Sequence, residues 1–577
     1  MTDSKKLIVQ RPLSKKLALF SHLHPVIARI YAARGVQSLD ELDKSLTKLP
    51  SPWLLSGMDD MVNHLVQAIQ QQQRISIVAD YDADGATSCA VAVKGLQLLG
   101  FQNVAFVVPN RFEYGYGLTP EIVELVKQQQ PDVIITVDNG ISSIEGVKAA
   151  KLNGIKVLVT DHHLPPAELP KADAIVNPNL ADDKFPSGAL AGVGVMFYVL
   201  MALRSRLREL GEFQQKTEPN LAQLLDYVAL GTVADVVPLD SINRILVHNG
   251  LKRIREGKAH LGLNALIDVA SKHPNSLNTS DLGFSIAPRL NAAGRMDDMA
   301  IGINCLLTDD VKLAKDSAIR LDEFNQERRE VENNMKQQAL AYLADMKPLD
   351  ERHLMAGVCL YDDRWHQGVI GILASRIKDK VHRPVIAFAP AGDDEIKGSA
   401  RSIEGVHIRD VLSDIASTYP HILSKFGGHA MAAGLSLKRR EFPAFVLAFD
   451  EMVAKHLKDL DLQQKIYSDG ELDESDFTVE FADLLQQAGP WGQSFPEPMF
   501  HGVFDVVQVR ILKQKHLKLV IRQPDGRLLI DAVYFFVDHP ENWLGIRQIT
   551  AAYKLDINEY RGQRNIQFIL QYLEKII

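Results

Sequence analysis

An α/β chain with a mainly parallel first sheet, a long connecting helix, a second α/β unit and a C-terminal β-barrel is what the sequence predicts, on three observations. From Arg74 onward, short apolar β-prone runs alternate with helical stretches, the signature of βαβ units. Between Asp309 and Met346 there is no Gly or Pro, while Leu313, Ile319, Leu321, Phe324, Val331, Met335 and Leu340 recur at roughly helical spacing. From about residue 465 the pattern turns to alternation, with Pro524-Asp525-Gly526 as a hairpin turn.

Residues 1–72 read as a lead-in of short helices that closes at the polar run Gln70–Gln73, and nothing in them points to a function. The first α/β domain, 73–308, has strands near 75–79, 103–108, 133–137, 155–160 and 173–176, with helices at 86–99, 119–129 and 142–152 between them. It then becomes mostly helical from Ala189 to about Arg255, with a loop expected at Gly231–Pro238. The connecting helix, 309–346, would reach roughly 55 Å at about 1.5 Å per residue, enough to bridge two domains across a cleft. The second α/β domain, 347–460, has apolar runs at Met355–Leu360, Pro384–Ala389 and Lys397–Ile403, and helices at Val369–Lys378 and 440–457. The last domain, 461–577, is the barrel.

Composition excludes several classes. At 577 residues the chain can bury a large core and divide into several domains. Cys89, Cys305 and Cys359 lie far apart without a CxxC pair, so reduced thiols and a cytoplasmic protein are expected, and a cysteine-built zinc site is not. The longest apolar run, Ala189–Leu203, is too short to span a bilayer, so no membrane is expected. A net charge of −8 argues against a nucleic-acid binder that is basic over its whole surface, and leaves room for a local basic channel.

Chemistry gathers just beyond the strands. The run Ile75–Ala79 stops at Asp80, Asp82 and Asp84, and Gly85 turns the chain into a helix. Taken alone, that stretch also fits a solvated acidic turn capping a helix. Val133–Val137 runs into Asp138-Asn139-Gly140, and Ile155–Thr160 into Asp161-His162-His163. Open α/β sheets bind ligands beyond their strand C-termini. If Asp235 joins them, one sheet edge gathers six carboxylates and two imidazoles, and two divalent cations, Mn²⁺ or Mg²⁺, explain such a set most economically.

Arginine clamps for phosphate are expected at Arg111, Arg289 and Arg295, which fall in glycine- or proline-bearing stretches read as loops, and at Arg376 and Arg401. Phe112, Tyr114 and Tyr116 accompany Arg111 and could stack bases or pack on the first domain. Gly427-Gly428 would let backbone amides approach an anionic strand, with the His429 imidazole donating to a phosphate. In the barrel, Arg510, Lys513, Lys515, His516, Lys518, Arg522 and Arg527 alternate with apolar residues, and Lys513 and Lys518 are the expected phosphate contacts.

Asp80-Tyr-Asp-Ala-Asp-Gly, Asp138-Asn-Gly, Asp161-His-His and the Asp235 loop, in that order, resemble the four motifs of the DHH phosphoesterase superfamily. Phe426–Gly434 is similar to the Gly-Gly-His signature of its partner domain, DHHA1, and the resemblance covers about 74–570. Within the superfamily, the stretches Pro109–Gly117, Ala287–Arg295 and Trp365–Gly371 resemble the bacterial RecJ exonucleases. The resemblance implies that Asp138 bridges two metals. Asp82 would serve one ion, and Asp84, His162 and Asp235 the other, with Asp80 a direct or supporting ligand. It further implies that Asp161 orients a histidine, that His163, Arg289 and His429 act with Asp138 in catalysis, and that Asn291 and Gln367 join the residues binding substrate.

The implied activity is a 5′→3′ exonuclease of single-stranded DNA that releases mononucleotides, with the strand threaded between the two α/β domains and an OB-fold as the barrel. Implied partners are a single-stranded DNA-binding protein and a RecQ-type helicase. Two rivals remain at this point: a small-substrate phosphoesterase of the same superfamily, and a non-catalytic replication scaffold with a decayed site. The long helix and basic barrel disfavour the first, and the full set of ligand types disfavours the second.

Overall fold

The computed structural model describes residues 6–576 apart from 14, 110–113, 115–116, 346–354, 393, 424 and 459–462. Arg111, Phe112 and Tyr116 lie outside the described residues. The chain separates into two units. One holds Lys6–Gly294, Asp298–Leu321 and the chain from Lys465 onward; the other holds Arg295–Asp297 and Asp322–Gln464.

In the larger unit a five-stranded sheet runs in the order Val104–Val107, Ile75–Ala79, Val133–Val137, Lys156–Thr160, Ala174–Val176, with every pair parallel. Its central strands are apolar because helices cover both faces, and Ile75–Ala79 and Val133–Val137 are buried at every residue. The chain leaves Ile75–Ala79 for a neighbour on one side and then crosses to Val133–Val137 on the other. This reversal opens a crevice at the strand C-termini. Register does the rest: Ala79 is paired with Val137 and Val137 with Thr160. Asp80, Asp138 and Asp161 therefore leave the sheet at one level.

The lead-in has a structural task that its sequence does not announce. Leu7–Gln10 pairs in parallel with Lys465–Ser468, and Tyr31 donates to the Ala488 carbonyl at 2.9 Å. Arg34 grips Asp469 through two hydrogen bonds of 2.6 and 2.9 Å, and their side chains are 1 % and 0 % exposed. The beginning of the chain thus belongs with its last domain.

The last domain is a closed barrel of Phe500–Leu512, His516–Arg522, Ile530–Tyr534, Gln563–Lys575 and Gln548–Tyr560. Alternation buries Leu517, Leu519 and Ile521, and Tyr553 stacks on Phe568 at 3.9 Å in the centre.

The long helix spans Val311–Asp345, 35 residues, and runs from the larger unit into the smaller. The smaller unit has a mixed sheet ordered Lys425–Gly428, Ala432–Lys438, Glu395–Arg401, Val385–Pro390, Val358–Tyr361. Only the last pair is parallel, joined by the helix Ile370–Val381. Cys89, Cys305 and Cys359 are buried free thiols, and no described helix is long and apolar enough to cross a membrane.

Candidate metal centre

Asp82 caps the helix Ala83–Leu99, its Oδ1 accepting from the amides of Asp84 and Gly85 at 2.9 and 3.0 Å. A Cβ at Gly85 would lie 2.4 Å from the Asp80 carbonyl oxygen, so only glycine permits this turn. Asp84 faces the start of the helix Gly192–Glu209 and accepts from the amides of Gly192 at 2.6 Å and Val193 at 3.0 Å. A helix N-terminus favours a carboxylate there. Two further glycines allow the helices to close in: a Cβ at Gly192 would lie 2.6 Å from the Asp138 Cβ, and one at Gly231 2.2 Å from Thr87 Oγ1.

Asp138 itself has φ of +61°, a left-handed conformation that aspartate tolerates better than most non-glycine residues. Asn139 steadies the bend by donating to the carbonyls of Val78 and Val137 at 3.1 and 2.9 Å. Beyond the next strand, Asp161 Oδ1 accepts from the amides of His162 and His163 and from His163 Nδ1, at 2.7, 3.0 and 2.7 Å. Its Oδ2 accepts from the Ile141 amide at 2.9 Å. Asp161 thereby fixes the ring of His163.

Three donor groups result, each with ligand atoms within 4.8 Å of one another: Asp80, Asp82 and Asp138; Asp84, His162 and Asp235; and Asp138, His162 and His163. His162 Nε2 lies 3.1 Å from Asp138, 3.5 Å from Asp235 and 3.9 Å from Asp84. Asp235 stands at the C-cap of the helix Leu225–Ala234, so Gly231–Ala234, expected as loop, are helical. Burial and the Asp82 charge push Asp84 up to about 7. Asp138 and Asp235 are raised well above the usual carboxylate range by burial and then by their acidic neighbours. Burial would lower His163, but its hydrogen bond to Asp161 and the surrounding acids raise it to about 9. Buried carboxylates crowded in this way fit a cationic guest, and oxygen with imidazole donors suits Mn²⁺ or Mg²⁺.

The expected substrate residues divide. Arg289 is not on a loop: it lies in the helix Ala287–Met296, buried, its guanidinium donating to the carbonyls of Ser285 and Val269. Pro288 is tolerated at that helix's first turn, which follows a π-turn at Leu282–Ile286. Asn291, on the same helix, accepts from the Ala83 amide at 2.8 Å and so shapes the acidic loop. Tyr114, half-buried, packs against the cluster around Val78, Ile122 and Val147.

In the smaller unit, Arg295 donates to the Gly368 carbonyl at 3.1 Å, Gln367 to that of Pro390 at 2.6 Å, and Arg376 to Glu332 at 2.9 Å. Arg401 is half-buried on Ser399 Oγ and the Ala400 carbonyl. Burial lowers its pKa, and among the described residues no carboxylate pairs with it. Gly427 and Gly428 sit on the sheet's edge strand. A Cβ at Gly427 would meet nothing within 4 Å, whereas Gly428, at φ +145°, has no room for one. His429 is exposed, and its amide closes the turn onto the Ala432 carbonyl at 2.8 Å. In the barrel Lys518 is held by Asp531 at 2.8 Å.

Sequence reasoning did not single out the amides of Gly192 and Val193 or the close approach at Gly231. The available signals were the Gly-Val-Gly run opening a helix and the Leu-Gly-Thr preceding Asp235.

Family models match three stretches: the DHH family N-terminal domain at residues 74–232, the DHHA1 domain at 353–455 and the RecJ OB domain at 468–572. The single-stranded-DNA-specific exonuclease RecJ of Salmonella typhimurium is 50 % identical over 567 residues, covering 97 % of this chain and 98 % of its own length. That of Haemophilus influenzae is 49 % identical over 577 residues, covering 99 % and 100 %. The crystal structure of RecJ from Thermus thermophilus in complex with Mn²⁺ matches with a TM-score of 0.81 at 28 % identity, covering all of this chain and 80 % of that one.

Proposed function

The chain belongs to the RecJ family of single-stranded-DNA-specific exonucleases, and on that premise we propose that its acidic centre holds two divalent cations, Mn²⁺ or Mg²⁺, and hydrolyses the strand 5′→3′ to 5′-mononucleotides. The observation that carries the two-cation reading is the membership of Asp138 in one donor group with Asp80 and Asp82 while it lies 3.1 Å from His162 of another. Cations held there supply the charge that activates water and stabilises an in-line displacement at phosphorus.

The remaining work falls to the protein's own groups. Asp161 keeps His163 turned toward the acids. Arg401, which has no carboxylate partner among the described residues, is available to a phosphate, and the bare Gly427 backbone admits close approach of a strand. Asn291 holds the acidic loop through Ala83. Arg289 and Arg401 remain the phosphate clamps of this reading, Arg289 anchored in its helix by the carbonyls of Ser285 and Val269. A cytoplasmic location, and a single-stranded DNA-binding protein and a RecQ-type helicase as partners, belong to the same reading; co-purification with each partner tests them.

End-labelled single-stranded DNA should be degraded from its 5′ end to mononucleotides with Mn²⁺ or Mg²⁺ and left whole in EDTA, while blunt duplex resists. Release from the 3′ end, or undiminished cleavage in EDTA, refutes the reading.

The same centre makes stability depend on metal and pH together. Asp84, Asp138 and Asp235 have raised folded-state values, so their contribution is present below the unfolded carboxylate range and is lost as pH rises through those raised values, about 7 for Asp84. His163, raised to about 9, also loses its contribution as pH rises from its unfolded value near 6.5. Mn²⁺ replaces the lost protons. At one fixed Mn²⁺ concentration, the increase in Tm on adding the metal to EDTA-treated protein should therefore be larger at pH 8 than at pH 6, and a concentration a hundredfold above Kd stabilises by about 2.7 kcal/mol. Equal increments at both pH values would contradict it.

A further inference from the structure

We propose that Phe535 and Phe536 form a base-stacking platform for the substrate strand at one end of the barrel. The proposal rests on the barrel's binding single-stranded DNA and adds the groups that would hold its bases. The strand Ile530–Tyr534 ends just before them. Phe535 is 49 % exposed and Phe536 75 %. The barrel core is filled by other aromatics, Phe500, Phe504, Tyr553 and Phe568 being fully buried, so core packing does not account for this pair.

The two rings are held outward by specific contacts. Phe536 has φ of +55°, a conformation that a bulky residue rarely adopts unless its surroundings impose it. Its amide donates to His516 Nδ1 at 3.0 Å, and the His516 ring stands edge-on to Phe535 and Phe536 at 5.4 and 4.9 Å. The Val537 amide ties the segment to the Lys515 carbonyl at 2.9 Å. Lys513 and Gln514, in the turn beside it, also have positive φ.

Charge completes the surface. Register sets Leu512 opposite His516 and Arg510 opposite Lys518, so Lys513 and Lys515 lie in the turn to which the Val537 amide is bonded. Among the described residues Arg510, Lys513 and Lys515 pair with no carboxylate. An apolar protein partner would leave those cations unmatched, whereas a single strand offers an apolar base face beside each phosphate. A duplex hides those faces, so the platform also favours the single-stranded form.

The test is binding in EDTA, over a salt series, of oligothymidylate and of an abasic oligomer of equal length. Phe536→Ala should weaken the oligothymidylate complex about fivefold or more while leaving the abasic affinity and the salt slope unchanged. Phe536→Trp should retain the preference for bases. Lys513→Ala should weaken both complexes and flatten the slope by about 0.7. The platform is overturned if Phe536→Ala and the double variant Phe535→Ala/Phe536→Ala bind both oligomers as the parent does while Lys513→Ala is weakened. Equal losses on both oligomers overturn it as well, marking a structural effect. If Lys513→Ala is unchanged too, the reading of the barrel as a DNA-binding domain falls with it.

Discussion

Asp138→Asn should give a folded protein that still binds single-stranded DNA but has lost on the order of a thousandfold or more of its hydrolysis rate, about 4 kcal/mol on the barrier. Asparagine preserves the shape of a side chain that is 2 % exposed and removes the charge. That charge lies in two donor groups at once, with Asp80 and Asp82 on one side and His162 and His163 on the other, so its loss disturbs both. A second readout separates this from general damage. Removing one of several crowded acids relieves repulsion, so the variant should melt higher than the parent in EDTA and gain less from Mn²⁺. Retention of a tenth or more of the parental rate would remove Asp138 from the bridging position.

Replacing Arg34 by Ala should destabilise the larger unit by about 3–5 kcal/mol, because it strands a fully buried Asp469. The Met499 amide still donates to Asp469 at 3.0 Å, and Arg11 stands 3.8 Å away, which together favour the lower end of that range. Arg34 also donates to the Pro496 carbonyl at 2.7 Å and lies over the Trp491 ring at 5.3 Å, so packing is lost as well as charge. A paired change, Arg34→Met with Asp469→Leu, should recover much of the loss, since no lone charge remains. Urea midpoints with unchanged m-values decide the matter. A single-variant cost below about 1 kcal/mol would mean that water reaches the pair.

The contrast between these two residues shows what the chain makes legible. Asp138 could be read because its surroundings are local: five buried residues, then an acid, an amide and a glycine. The same grammar at Asp80 and Asp161 put all three on one sheet edge. Arg34 and Asp469 are 435 positions apart, and nothing near either residue marks the other as its partner. Residues 1–72 therefore read as a lead-in. Ala287–Arg295 misled for the opposite reason, since a proline and a glycine in so short a stretch suggested a loop. Pro288 begins a helix instead, and Gly294 sits within it because a Cβ there would lie 1.9 Å from the Tyr81 carbonyl oxygen. Lys518 looked available by alternation alone, and its cross-strand partner Asp531 could be seen only once the register was known.

The parallel pairing of Leu7–Gln10 with Lys465–Ser468 also sets a timetable for biosynthesis. Roughly 460 residues must follow Leu7 through the ribosome before its partner exists, a wait of about twenty to ninety seconds at ordinary elongation rates. Through that interval Leu7–Gln10 is an unpaired strand edge and Arg34 lacks its carboxylate, although the five-stranded sheet is already complete by residue 176. Leu7–Gln10 is thus made long before it can be secured.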